Sequence, residues 1–205
     1  MPEELEAQWK AAHGFFEAFG WSVLGSENLE ADDLLGALAR VESEAGGHAL
    51  LFTGDRDMFQ CAGERVTVLY PRTGGGRQGP EEIGPAQVRE RYGVEPAQVP
   101  DFIALRGDPS DGLPGMKGIG EKRAADILRR HGSLAAALAA AERDGRDRNI
   151  LAGARAELEA YREIATLRPI ELGRPPDAAT DRPRGAAAAR QLGMSGLAER
   201  LDSGE

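Results

Sequence analysis

The feature that most constrains this chain is a short apolar run, Ala49-Leu50-Leu51-Phe52-Thr53, that stops at Gly54-Asp55 and continues at once into Arg56-Asp57. A continuous apolar stretch of this length, closed by a turn residue, reads as a strand buried on both faces of a parallel sheet. Open α/β sheets gather ligands at the carboxyl ends of their strands, which is where Asp55 and Asp57 fall. On an extended chain, alternate residues point the same way, so both carboxylates are expected to converge on one hard cation such as Mg²⁺ or Mn²⁺. Two such ions about 4 Å apart activate water and stabilise the leaving oxygen of a phosphodiester. An Asp-rich turn is the plainer alternative.

The surrounding pattern is that of an α/β chain followed by helices. Residues 3–20 place Leu5, Trp9, Ala12, Phe16 and Phe19 on one helical stripe, with a short strand expected at 21–24. Trp9, Phe15, Phe16, Phe19 and Trp21 are expected in the core. A helix over 31–41 closes at Gly46-Gly47, a further strand is expected at 66–70, and the glycines of 71–79 predict a turn or loop. From Pro85 onward no strand is evident, and helices are predicted near 85–92, 96–105, 120–130, 133–142 and 146–166. Residues 173–190 read as a Pro/Gly-rich linker, with a weak terminal helix near 186–202. The expected domains are therefore 1–84, 85–172 and 173–205.

No apolar run among the 205 residues approaches the 18 or so needed to span a bilayer, and the opening MPEELEAQWK lacks the layout of a secretory signal. A cytoplasmic, soluble, monomeric protein with no membrane partner is expected. The single cysteine, Cys61, has no intrachain partner and reads as a small apolar residue, and the three scattered histidines lack zinc spacing. The formal charge of −9 argues superficially against nucleic acid, but it is unevenly spread. Residues 1–60 hold twelve acids against three bases, while the remainder holds 22 of each sign. Acid so concentrated marks either solvated helix faces or carboxylates gathered around metal ions.

Two further acidic motifs lie at element edges: Glu30-Ala31-Asp32-Asp33, which opens a helix, and Gly107-Asp108-Pro109-Ser110-Asp111-Gly112. Helix capping accounts for one or two of the first group, and a turn for the last taken alone. The segment just after the last is more specific: Gly115-Met116-Lys117-Gly118-Ile119-Gly120-Glu121-Lys122-Arg123 is a glycine hairpin running into a helix, and it holds two of only three lysines in the chain. Its glycines permit close backbone approach, the helix start offers N–H donors, and bases outnumber acids five to two over 117–130. Such an element grips a nucleic-acid backbone without reading bases.

In this order, EADDLL at 30–35, TGDRDMFQ at 53–60 and GDPSDGLPGMKGIGEKRAADIL at 107–128 resemble the bacterial 5′→3′ exonuclease family, the flap-endonuclease-like domain at the amino end of DNA polymerase I and its stand-alone form. The resemblance covers roughly residues 1–170 and is closer to the stand-alone form. It implies an α/β, PIN-like nuclease domain with an incomplete parallel sheet, followed by an all-α helix-three-turn-helix lobe of the helix-hairpin-helix type. It further implies cleavage of DNA near 5′ ends and flaps in replication and repair, by a two-metal mechanism using Mg²⁺ or Mn²⁺. Glu30 and Asp32, with Asp33 nearby, match one metal site; Asp55, Asp57, Asp108 and Asp111 match the other, with Asp55, Asp57 and Asp111 as the catalytic core. Gly115, Lys117, Gly118, Ile119, Gly120, Lys122 and Arg123 match the part that holds downstream duplex DNA, with a K⁺ ion on backbone carbonyls. Gly112 and Arg123 depart from the Asn and Thr of many relatives without removing a carboxylate or a hairpin glycine.

A larger departure is that the family's first strands, their Asp residues and its basic arch have no counterpart here, so the domain is expected to be shortened by about its first third. Two consequences are expected: strand 49–53 exposes an apolar edge, and the first metal site binds weakly. The alternative function is a DNA-binding remnant without chemistry. A PIN-type ribonuclease toxin would need no glycine hairpin.

Overall fold

A computed structural model describes residues 2–72, 79–144 and 147–204, so most of the loop expected at 71–79 lies outside the described residues. In chain order the elements are α1 (Glu3–Glu17), α2 (Ala31–Glu44), β1 (Ala49–Phe52), β2 (Val66–Tyr70), β3 (Glu81–Ile83), α3 (Pro85–Tyr92), α4 (Val99–Arg106), α5 (Glu121–His131), α6 (Leu134–Asp144), α7 (Arg148–Leu151), α8 (Arg155–Ala165), α9 (Arg182–Gln191) and α10 (Ser195–Ser203). Short 3-10 helices occupy Asp57–Cys61 and Pro96–Gln98. The chain divides into two compact units, residues 29–172 and residues 1–28 with 173–205.

In the larger unit, α2 opens on Asp32 and Asp33, whose charge suits a helix start, and the chain turns out of it through Gly46 at φ 85°. β1 runs parallel to β2, with Ala49 opposite Val66 and Phe52 opposite Leu69. β2 runs antiparallel to β3, with Val68 opposite Ile83. The sheet is therefore mixed, in the order β1-β2-β3, rather than parallel throughout. The short β3, with only Ile83 buried, carries too weak an alternation to be seen in sequence. The strand expected at 21–24 does not form.

β1 differs from expectation in its burial. Leu51 is buried, but Leu50 and Phe52 stay 63% and 66% exposed, because β1 is an edge strand covered on one face only. β1 is the expected edge strand, and the apolar side chains it leaves exposed, Leu50 and Phe52, lie on its uncovered face. One core extends from the sheet into the helices, through Phe59, Val68, Ile83, Phe102, Leu105, Ile127, Leu138 and Leu158. Tyr92 stacks on Phe102 at a centroid separation of 5.0 Å, which ties α3 to α4 inside that core. The helix expected over 146–166 is split into α7 and α8 by Gly153 at φ 82°, a conformation only glycine adopts without strain.

The smaller unit corrects two expectations. Residues 173–180 carry no helix or strand, but the rest of the tail forms two helices, α9 and α10, in place of one weak helix, because Gly193 at φ 75° breaks the run. Ala186, Ala189 and Ala198 are buried together against Phe15, Leu197 and Leu201, so the alanine-rich stretch is a packing face. Gly185 lies against Phe19, and a methyl there would come within 2.4 Å of the ring. Phe19 is buried, whereas Trp9, Phe16 and Trp21 are 74%, 43% and 45% exposed, so the aromatic stripe is only partly core. Among the described residues, no helix is long and apolar enough to cross a membrane.

Candidate functional site

The loop after β1 is shaped by its own side chains. Thr53 Oγ1 accepts the Asp55 N–H at 3.0 Å, and Asp55 Oδ1 accepts the Asp57 N–H at 2.8 Å. These local bonds bend the chain into the 3-10 helix that begins at Asp57, so Asp55 and Asp57 are brought together by a turn and not by extended strand. Gln60 anchors that turn: its Nε2 donates to the carbonyls of Asp57 and Ala165, and its Oε1 accepts the N–H of Leu167. Asp57 and the end of α8 are thereby tied together by one amide side chain, a role the spacing of TGDRDMFQ does not reveal.

The three acidic stretches meet electrostatically. Burial, followed by the charges of Asp55, Asp111 and Asp108, pushes the Asp57 carboxyl up to about 7, with a side-chain interaction with Asp111 adding to the rise. Asp111 is itself raised by burial and then by Asp108 and Asp55, although the hydrogen bond from Asp57 pulls it back down. Asp32, at the start of α2, is raised by burial and then by Asp55, with Glu30, Asp33 and Asp111 adding to it. Carboxylates from 30–33, 55–57 and 108–111 thus crowd one region.

Two of the expected ligands are engaged by the protein itself. Asp33 is buried, and its Oδ1 accepts the backbone N–H of Arg168 at 2.7 Å, holding the segment after α8 to the start of α2. Asp108 accepts the Ser110 N–H at 2.9 Å and the Ser110 hydroxyl, and pairs with Arg106 at 3.1 Å. Burial alone would raise Asp108, but Ser110, Arg106 and Arg56 together hold it below the usual carboxylate range. Ser110 two residues after Asp108 is the Asx-turn spacing, a signal available in the sequence.

As a set, the acidic groups offer only hard oxygen donors, the chemistry that suits Mg²⁺ or Mn²⁺, and the raised carboxyls of Asp57, Asp111 and Asp32 mark negative charge that a divalent cation would relieve. Among the described residues, however, no three His, Cys, Asp or Glu side chains converge closely enough to form a metal ligand group. Cys61 is pushed up to about 11, chiefly by burial, so its thiol is not a nucleophile.

The glycine hairpin lies between α4 and α5. Gly107 and Gly115 cross so closely that a Cβ on Gly115, which sits at φ 62°, would stand 2.3 Å from the Gly107 nitrogen. Met116 N–H donates to Leu105 O and Ile119 N–H to Met116 O, closing a turn with Gly118 at φ 83°. Ile119 is buried and plugs the hairpin, so its side chain faces the core, while Lys117, Gly118, Gly120, Lys122 and Arg123 are exposed. Gly120 caps α5 without a side chain, leaving the first N–H groups of that helix open to an anion. Asp101, on α4, belongs to none of the three acidic motifs and carries no signal in the sequence. It is buried, and it accepts the N–H of Leu134 at 2.9 Å and Arg162 Nε at 2.5 Å.

Comparison with known proteins agrees with this architecture. Residues 1–93 match the family described as 5′-3′ exonuclease, N-terminal resolvase-like domain, and residues 94–177 match 5′-3′ exonuclease, C-terminal SAM fold. A 5′-3′ exonuclease of Mycobacterium tuberculosis is 38% identical over 222 residues, covering 98% of this chain and 68% of its own length. DNA polymerase I of Mycobacterium bovis is 45% identical over 133 residues, which cover 65% of this chain and 14% of that protein. In fold, the chain resembles a bacteriophage T5 protein co-crystallized with metal ions, at a TM-score of 0.65 and 19% identity over 99% of this chain and 73% of that one. It also resembles the catalytic core of Rad2 in complex with DNA substrate, at a TM-score of 0.60 and 12% identity over 95% of this chain and 70% of that one. With a resolvase-like, PIN-type domain followed by a SAM-like helical domain, the chain belongs to the 5′-3′ exonuclease family.

Proposed function

We propose that this chain is a metal-dependent nuclease that hydrolyses DNA phosphodiesters at 5′ ends and flaps. The observation that carries the reading is the mutual crowding of Asp32, Asp55, Asp57 and Asp111, with Asp57 pushed up to about 7. On this reading Asp55, Asp57 and Asp111 hold one divalent cation, and Asp32 with Glu30 contributes to a second. Bound Mg²⁺ or Mn²⁺ would supply an activated water and stabilise the leaving oxygen. Asp33 and Asp108 act by shaping the region, the first through Arg168 and the second through Ser110 and Arg106. The domain that ends near residue 84 carries the carboxylates of 30–57, and the helical lobe over 85–172 presents Gly115, Lys117, Gly118, Gly120, Lys122 and Arg123 to the duplex backbone, with K⁺ on the hairpin carbonyls. A monomer in the cytoplasm completes the reading.

The test is Mg²⁺-dependent cleavage of a labelled 5′-flap duplex. Cleavage that disappears in Asp55→Ala while duplex binding persists supports the proposal. Salt-sensitive binding without product, from a folded preparation, favours a second reading, a DNA-binding protein without chemistry, for which the lack of three converging ligands among the described residues speaks.

A further inference from the structure

Beside the carboxylates lies a cleft of about 630 Å³ lined by Gly54, Asp55, Arg56, Tyr70, Arg106 and Ser110, among others. Its cations differ in how they are used. Arg106 is fully engaged: Nε donates to Gly107 O at 2.9 Å, Nη2 to Asp108 at 3.1 Å and Nη1 to Glu121 at 3.4 Å. Arg91 does not line the cleft, but its guanidinium carbon lies 5.7 Å from the centroid of the Tyr70 ring, and it too is paired, with Glu81 at 2.8 Å. Arg56 stands between Asp55 and Asp57 in sequence and is exposed, yet among the described residues it forms an ion pair with neither. Its one hydrogen bond among the described residues runs from Nε to Tyr70 Oη at 3.2 Å, and its guanidinium carbon lies 5.8 Å from the centroid of the same ring. Both Nη groups are left without a partner among the described residues.

An arginine whose Nε is fixed and whose outer fork is open matches the bidentate geometry of a phosphate. The cleft is far larger than a phosphate ion and is of the size of a nucleotide. Asp55, Asp108 and Glu121 in its walls repel an unaccompanied anion, so the ligand is one that arrives with a divalent cation. We propose that Arg56, positioned by Tyr70, is the phosphate-binding residue of a one-nucleotide subsite next to the carboxylates, and that it takes a nucleotide phosphate on its two Nη groups. The inference deepens the nuclease reading and rests on it. A terminal 5′ phosphate and an internal diester share this chemistry.

The experiment measures equilibrium binding of a fluorescent 5′-flap duplex to the full chain in Ca²⁺, across a salt series, for the unaltered protein, Arg56→Gln, Arg56→Lys and Tyr70→Phe. Loss of one phosphate contact lowers the slope of log Kd against log salt by about 0.7–0.9. Arg56→Gln is expected to show that drop, Arg56→Lys to keep the slope, and Tyr70→Phe to keep the slope with weaker binding. With a probe lacking the 5′ phosphate, a vanishing difference identifies the terminal phosphate and a persisting one an internal diester; either outcome supports the subsite. An unchanged slope in Arg56→Gln overturns it, as does absence of binding by the unaltered chain. Cleavage is scored on the same preparations in Mg²⁺. Failure of the nuclease reading appears as no product from the unaltered chain, whereas failure of this inference appears as an unchanged slope in a chain that cleaves.

Discussion

Replacing Asp57 by Asn keeps the shape of the side chain and its ability to donate to Asp111 while removing the ionisable proton. In the folded protein that carboxyl titrates at about 7 against an ordinary 3.8, chiefly because of burial and then because of Asp55, Asp111 and Asp108. A difference of about three pH units corresponds to about 4 kcal/mol at roughly 1.4 kcal/mol per unit, and solvent screening of this half-buried group reduces it to about 2 kcal/mol. Proton linkage sets the sign. The folded state binds the proton more tightly than the unfolded state, so the stabilisation is complete below about pH 4 and is lost as pH rises through about 7. Asp32 and Asp111, both raised, act in the same sense, whereas Asp108, held low, costs stability only as the solution becomes more acid than the ordinary carboxylate value.

In a chelator at pH 8, Asp57→Asn should therefore be more stable than the unaltered chain by about 2 kcal/mol, raising Tm by roughly 4–8 °C for a chain of this size. At pH 4 the two should melt together. Adding Mg²⁺ at pH 8 should raise the Tm of the unaltered chain more than that of the variant, because the cation takes the place of the proton among these carboxylates. Thermal melts followed by circular dichroism, from pH 4 to 8 with and without Mg²⁺, read all three expectations. A Tm of the unaltered chain that does not fall between pH 4 and pH 8, or a variant no more stable at pH 8, refutes the reasoning that these acidic groups crowd one another.

Gly115→Ala should cost roughly 2–4 kcal/mol in urea unfolding, since its Cβ would stand 2.3 Å from the Gly107 nitrogen at a positive φ of 62°; a cost under about 1 kcal/mol would show that the crossing opens easily. Asp101→Ala strips the start of α6 and Arg162 of a shared buried acceptor and should cost about 2–4 kcal/mol in the same assay, with Arg162→Ala milder because that side chain is half exposed. Gly185→Ala drives a methyl to 2.4 Å from the Phe19 ring and should destabilise the smaller unit by about 1–3 kcal/mol, visible as faster hydrogen exchange in α9.

The local features of this protein were legible from its residues. Glycines at the ends of α2, α3 and α5 and the acidic groups at the start of α2 act over a few positions, so element limits there follow from turn chemistry and helix polarity. The order of the three acidic motifs and the hairpin was legible for the same reason. Elements that depend on a partner were not: β3 has too little pattern of its own, and residues 21–24, though strand-like in composition, find no strand to pair with. Leu50 and Phe52 look like core because composition cannot say how many neighbours a strand has.

The sequence alone determined which stretches carry charge, where helices stop, and which family the motifs belong to, because those are properties of contiguous residues. Only the tertiary structure decided that Asp33 serves Arg168, 135 residues away, that Asp101 serves Arg162, 61 residues away, and that Asp57 is buried close enough to Asp55, Asp111 and Asp108 for their charges to push its carboxyl up. Each of those carboxylates is chemically alike in sequence. Packing of the core sets which distant N–H, guanidinium or acid each one faces, and burial together with that neighbour fixes its charge.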